Sequence, residues 1–124
     1  MGLLDTLMGH AGEKDIADLH DEFGPLLAPG EALQRAFGFV RDLIVFTDRR
    51  MIIVDKQGVT GKKTSYLSIP YRAIVMYSVE TAGHFDLDSD LRIWVSSQAE
   101  PITRALGRGP GARDIIAILA QATR

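Results

Sequence analysis

The chain reads as a mainly β protein with some α structure, in which seven short antiparallel strands bend into a small barrel or sandwich capped by one C-terminal helix. Residues 42–96 are a close succession of short apolar runs broken by polar or glycine stretches. The gaps between most runs leave room only for hairpins, because a parallel crossover takes about a dozen residues or more. Beyond residue 24, helical periodicity returns only at the end of the chain, in 112–122.

The elements follow in order. Residues 1–24 form a helical segment: Leu3, Leu4, Leu7 and Met8 fall at helical spacing, and in 13–23 Ile16, Leu19, His20 and Phe23 share a stripe. His20 is read there as a packed histidine. Gly24-Pro25 ends the segment, since proline cannot continue a helix and turns its predecessor away from helical angles. Pro29-Gly30 is a turn. Strands are predicted at 33–40, 43–47, 51–56, 64–70, 74–80, 91–96 and 100–106, each rich in β-branched or aromatic residues. In 112–122, Ile115, Ile116, Leu119 and Ala122 make one apolar side. A helix this short needs a sheet to dock on. With no repeat or linker in between, 1–124 is read as a single domain.

Composition narrows the function. The 124 residues are 46% hydrophobic and 24% charged, the balance of a globular protein long enough to bury a core without disulfides. A net charge of −2 lacks the basic footprint of a nucleic-acid protein. There is no cysteine, which removes disulfides, thiolate metal sites and cysteine nucleophiles, and a reducing cytoplasm fits best. No apolar run approaches the ~20 residues of a membrane helix. The opening MGLLDTLMGH lacks the charged start and long apolar stretch of a signal peptide.

Strand faces carry the binding inference. In 91–96, alternation sets Leu91, Ile93 and Val95 against Arg92, Trp94 and Ser96, so a core-facing aliphatic side turns the single tryptophan outward. In 74–80, Ile74 and Met76 alternate with Val75, Tyr77 and Val79, leaving both faces apolar. Such a strand needs cover on its outer side, from the terminal helices or from another subunit. Val75, Tyr77, Val79 and Trp94 are the candidate interface residues.

No motif supplies catalysis, a metal or a cofactor. Gly107–Ala112 spells G-x-G-x-x-A, but no βαβ unit follows it; it is read as a turn into the helix. Gly61-Lys62-Lys63-Thr64 echoes a phosphate loop, yet Lys56 stands where the first glycine belongs. Lys56, Lys62 and Lys63 remain a candidate anion-contact loop. Asp86, Asp88 and Asp90 begin like a calcium loop, which fails at Leu91 and Ser97 where glycine and glutamate are needed. His84 has no second histidine or nucleophile at hand. Met1–Thr6 satisfies the loose myristoylation pattern, without a polybasic second signal.

Several strings together resemble a known family: RDLIVFTDRR at 41–50 running into MIIVDKQGVTGKK at 51–63, SIPY at 68–71, SVETAGHFD at 78–86, and the opening GLLDTLMG. In this order they are similar to the bacterial pleckstrin-homology (PH-like) family, formerly a domain of unknown function. The resemblance implies the PH-like seven-stranded bent sheet with its C-terminal helix. It further implies a cytoplasmic protein that assembles into ring-like homo-oligomers, with no established enzymatic activity. Eukaryotic relatives bind phosphoinositides through a long basic loop between the first two strands; here that link is Arg41-Asp42, too short for such a pocket.

The expectation is therefore a non-enzymatic module that self-assembles and serves as a scaffold or adaptor for protein partners. The alternative is an anionic-ligand or membrane-surface module using Lys56, Lys62 and Lys63.

Overall fold

The computed structural model describes residues 12–39, 42–57, 63–81, 88–107 and 111–124. The chain divides into two compact units, Met1–Ser68 and Ile69–Arg124. Strands β1 (Gly12–Lys14), β2 (Leu33–Gly38), β3 (Asp42–Thr47), β4 (Arg50–Gln57) and β5 (Lys63–Pro70) form one sheet in sequence order. Strands β6 (Ile74–Thr81), β7 (Ser89–Val95) and β8 (Ile102–Gly107) form a second. The described ladders close neither sheet into a ring. Helix α1 (His20–Phe23) precedes β2, and helix α2 (Ala112–Ala122) ends the chain.

The seven predicted strands are all present, and β1 is an eighth. Its residues fall within the stretch read as helical. Glu13 and Lys14 instead pair with Phe37 and Ala36 of β2. Asp15 then accepts a hydrogen bond from the Ala17 backbone at 3.0 Å and starts a fresh 3₁₀ turn, Ile16–Leu19, which runs into α1 and a second turn, Gly24–Leu26. A carboxylate at a cap position initiates a helix at the next residue, so one helix could not span Asp15.

The stripe on this segment is real except for His20, which is exposed. Leu19 and Phe23 are buried against Leu33, Ala36, Leu43, Val45, Ile52 and Val54, with Ile16 and Leu27 at the margin. Register explains why those sheet residues share a face: Leu43 opposes Val54, and Val45 opposes Ile52 and Ala36. The opposite face holds Phe37, Ile44, Phe46, Met51 and Ile53, also buried, with the Phe37 and Phe46 rings edge to face at 6.2 Å. Burial on both faces accounts for β3 being apolar almost throughout.

In the second unit, α2 spans the residues its periodicity predicts and lies against β6. It buries Ala112, Ile115 and Leu119. Gly111 precedes it with φ 125°, a left-handed angle that glycine adopts without strain. The three-stranded sheet buries Leu91 and Ile93 on one face, as expected from the alternation in β7.

Candidate interaction surface

Strand β6 does not alternate as a regular strand would. Ile74 opposes Val95, but Met76 opposes Trp94, so two β6 residues, Val75 and Met76, span a step of one residue on β7. This bulge reverses parity for the rest of the strand, because side chains alternate with a period of two. Tyr77 and Val79 therefore oppose Ile93 and Leu91 and share their buried face. The sequence reading, which grouped Tyr77 and Val79 with Trp94, is corrected here. Only Met76, which it placed on the other side, stands directly opposite Trp94.

The outer face of the three-stranded sheet is thus apolar at one end and charged at the other. Val75 is 65% and Met76 53% exposed, beside the half-buried Trp94. Next come Ser78, Arg92 and Thr103 in one row, then Glu80, Asp90 and Ala105 in another. Glu80 and Asp90 sit directly opposite each other, a like-charge pair that Arg92 moderates through its ion pair with Glu80. No element in the described part of this unit covers Val75 or Met76. Of the N-terminal segment, which the sequence offered as a possible cover, the described residues Ile16, Leu19, Phe23 and Leu27 pack on the five-stranded sheet.

The other predicted positions are scattered. Lys63 is exposed at the start of β5, and Lys56 lies near the end of the neighbouring β4. Lys62, His84, Asp86 and the first eleven residues lie outside the described residues. Asp88 and Asp90 are exposed, as a solvated rim would be. Among the described residues, no cluster of three or more His, Asp or Glu is placed to hold a metal.

One polar cluster escaped the sequence reading. Glu31, with its carboxylate almost wholly buried, accepts hydrogen bonds from Arg50 Nε and Nη2 at 2.9 and 3.0 Å, Thr47 Oγ1 at 2.6 Å and the Ala28 backbone at 2.9 Å. Those bonds, the Arg50 pair foremost, hold its pKa down at about 2 despite burial. Arg50 also donates to Leu26 O at 2.6 Å and Ser68 Oγ at 2.9 Å. One ion pair therefore joins the second 3₁₀ turn, the Pro29-Gly30 turn, the β3–β4 hairpin and β5. Every polar atom named here has a partner inside the unit, which marks the cluster as a brace rather than a binding site.

Comparison with known proteins agrees with this architecture. The model of the bacterial PH domain family matches residues 2–123. The uncharacterized protein YjqA of Bacillus subtilis (strain 168) is 49% identical over 121 residues, 97% of each chain. The crystal structure of a pleckstrin homology domain from Shewanella amazonensis SB2B superposes with a TM-score of 0.83 at 51% identity, covering 99% of both chains. A DUF1696 family protein with a pleckstrin-homology domain from Shewanella loihica PV-4 gives 0.80 at 43% identity, covering 94% of this chain and 99% of that one. With its strand order, its terminal helix and these matches along nearly its whole length, the chain belongs to the bacterial PH domain family.

Proposed function

We propose that this chain is a non-enzymatic PH-like module that self-assembles through the outer face of its three-stranded sheet and serves as a scaffold or adaptor for protein partners. The observation that carries the reading is the contiguity of Val75 and Met76, both exposed, with the half-buried Trp94 across the ladder. Apolar groups gathered in one place on a rigid sheet mark interaction surfaces, whereas scattered ones do not. The bulge concentrates them at one end, and the Glu80–Arg92–Asp90 group at the other end supplies a polar rim.

Light scattering on a sizing column tests the reading. The expected mass is a sharp multiple of the 13.6 kDa chain, and Met76→Glu is expected to bring it down to a single chain with the fold intact. A wild-type monomer, or a Met76→Glu variant that keeps the wild-type mass, would refute it.

A further inference from the structure

The chain contains no cysteine, so its sulfur chemistry rests entirely on four methionines. Two of them, Met51 and Met76, lie among the described residues, and they are placed oppositely. Met51 is fully buried in β4, opposite Phe46 and on the face that also holds Phe37 and Ile53. Met76 is 53% exposed on the outer face of the three-stranded sheet, beside Val75 and opposite the half-buried Trp94. The bulge in β6 causes that exposure. Strict alternation from the buried Ile74 would turn Met76 toward the core; the extra residue turns it out and puts Tyr77 on the inner side instead.

A thioether in this position is open to oxidation without cost to the core. Hydroperoxides convert methionine to its sulfoxide, so that a flexible apolar side chain becomes a polar one. At Met51 the new oxygen would need a hydrogen-bond donor, which the side chains of Phe37, Phe46 and Ile53 do not offer. At Met76 it faces solvent, and what changes is the surface. A strong acceptor then stands between Val75 and Trp94, and docking on that apolar end would have to strip its water away.

We propose that Met76 is a site of reversible oxidation by hydroperoxides, and that its sulfoxide switches off association through the outer face of the sheet. The Sδ lone pair attacks the terminal peroxide oxygen. The S–O bond forms as the O–O bond breaks, sulfur loses two electrons, and the peroxide is reduced to water or an alcohol. Reversal takes two electrons from outside the chain, which has no cysteine to supply them. A dithiol reductant returns the thioether, forming its own disulfide and releasing the oxygen as water. The switch rests on the self-assembly reading above, whereas the site rests on the exposure of Met76 against the burial of Met51. An assembled surface shields the sulfur, so Met76 oxidises through free chains, and more slowly as protein concentration rises.

Dilute hydrogen peroxide on the folded full chain tests both parts. Digestion and mass spectrometry read each methionine separately. Met76 is expected to gain one oxygen about tenfold faster than Met51 or more, and the two rates are expected to converge in denaturant. By light scattering on a sizing column, the oxidised protein is expected to fall toward the 13.6 kDa single chain with its circular dichroism unchanged. Dithiothreitol with methionine sulfoxide reductases is expected to restore the mass. Met76→Leu, compared with itself before and after peroxide, is expected to show no change in mass. Equal rates for Met51 and Met76 in the folded chain would overturn the site. Selective oxidation of Met76 that leaves the mass unaltered would overturn the switch, as would an equal loss of mass in Met76→Leu. A wild type that is already a single chain before peroxide refutes the self-assembly reading and the switch with it, and the comparison with Met51 still decides the site.

Discussion

The Glu31 carboxylate and the Arg50 guanidinium meet side-on through two hydrogen bonds of 2.9 and 3.0 Å, with the Glu31 side chain 1% exposed and that of Arg50 23%. The pair ties four separate stretches of the first unit together, so its charge state governs how firmly the N-terminal segment is held. The folded pKa of Glu31 is lowered from 4.5 to about 2. A depressed carboxylate pKa means the stabilisation is fully present above about pH 5 and is lost as pH falls toward 2. Its full size is on the order of 3 kcal/mol, since one pKa unit corresponds to about 1.4 kcal/mol. Chemical denaturation from pH 7 to pH 2.5 is expected to show this loss in the wild type, and a smaller one in Glu31→Gln.

Removing only the cation is expected to be worse than neutralising both partners. Arg50→Ala leaves a buried carboxylate without its counter-charge, at a cost of about 3–5 kcal/mol. The double variant Glu31→Gln with Arg50→Met is expected to recover part of it. A double-mutant cycle by urea denaturation measures the difference.

The second ion pair makes a contrast. Arg35 Nε and Nη2 each donate to Glu13 at 2.8 Å, and the guanidinium lies 5.1 Å from the Phe37 ring centre, but both partners are more than a third exposed. The Arg35 bonds lower the Glu13 pKa, so this contribution too is present at neutral pH and fades on acidification. Solvent screening holds such a pair to about 0–1 kcal/mol. Glu13→Gln is expected to shift the denaturation midpoint little, and 1 M salt is expected to erase what difference there is.

The bulge in β6 separates stability from association. Ile93 is fully buried and opposes Tyr77, so Ile93→Ala is expected to cost about 2–5 kcal/mol. Met76→Ala, one residue along from Tyr77 and on the outer face, is expected to change unfolding by less than about 0.5 kcal/mol. Thermal melts at a concentration low enough to suppress association compare the two. Equal losses would contradict the facial assignment.

Gly30 occupies the turn beside Glu31 with φ 82°, and a β-carbon there would meet Arg49 Nη2 at 3.4 Å. The contact is with a flexible side-chain end, so backbone conformation decides the outcome. Gly30→Ala is expected to cost about 1–2 kcal/mol and Gly30→Asn less, because asparagine tolerates left-handed angles. Denaturation of both variants checks the order.

Much of the architecture is legible in residue order, and specific residues explain where legibility stops. Helix 112–122 is readable because Ile115 and Leu119 sit one turn apart on the side that α2 buries. The β7 faces are readable because charge and aliphatic residues alternate strictly from Asp90 to Ile93. Residues 74–77, Ile-Val-Met-Tyr, are apolar at every position, so nothing local marks where a bulge falls. Glu31 and Arg50 are 19 positions apart and join only when the β3–β4 hairpin folds back beside the turn. The Phe23 and Tyr66 rings, edge to face at 6.3 Å, come together across a still longer separation.

Periodicity, turn residues and apolar content by themselves determined the strand succession and the terminal helix, because these are short-range properties of the backbone and of burial; the PH-like class came from the resemblance of several strings, in order, to that family. Tertiary structure alone decided which side of β6 meets Trp94 and where the N-terminal segment packs. It also decided which charges brace the first unit. Each of these depends on register and on contacts between distant residues, and a one-residue slip in a strand moves every later side chain to the other face.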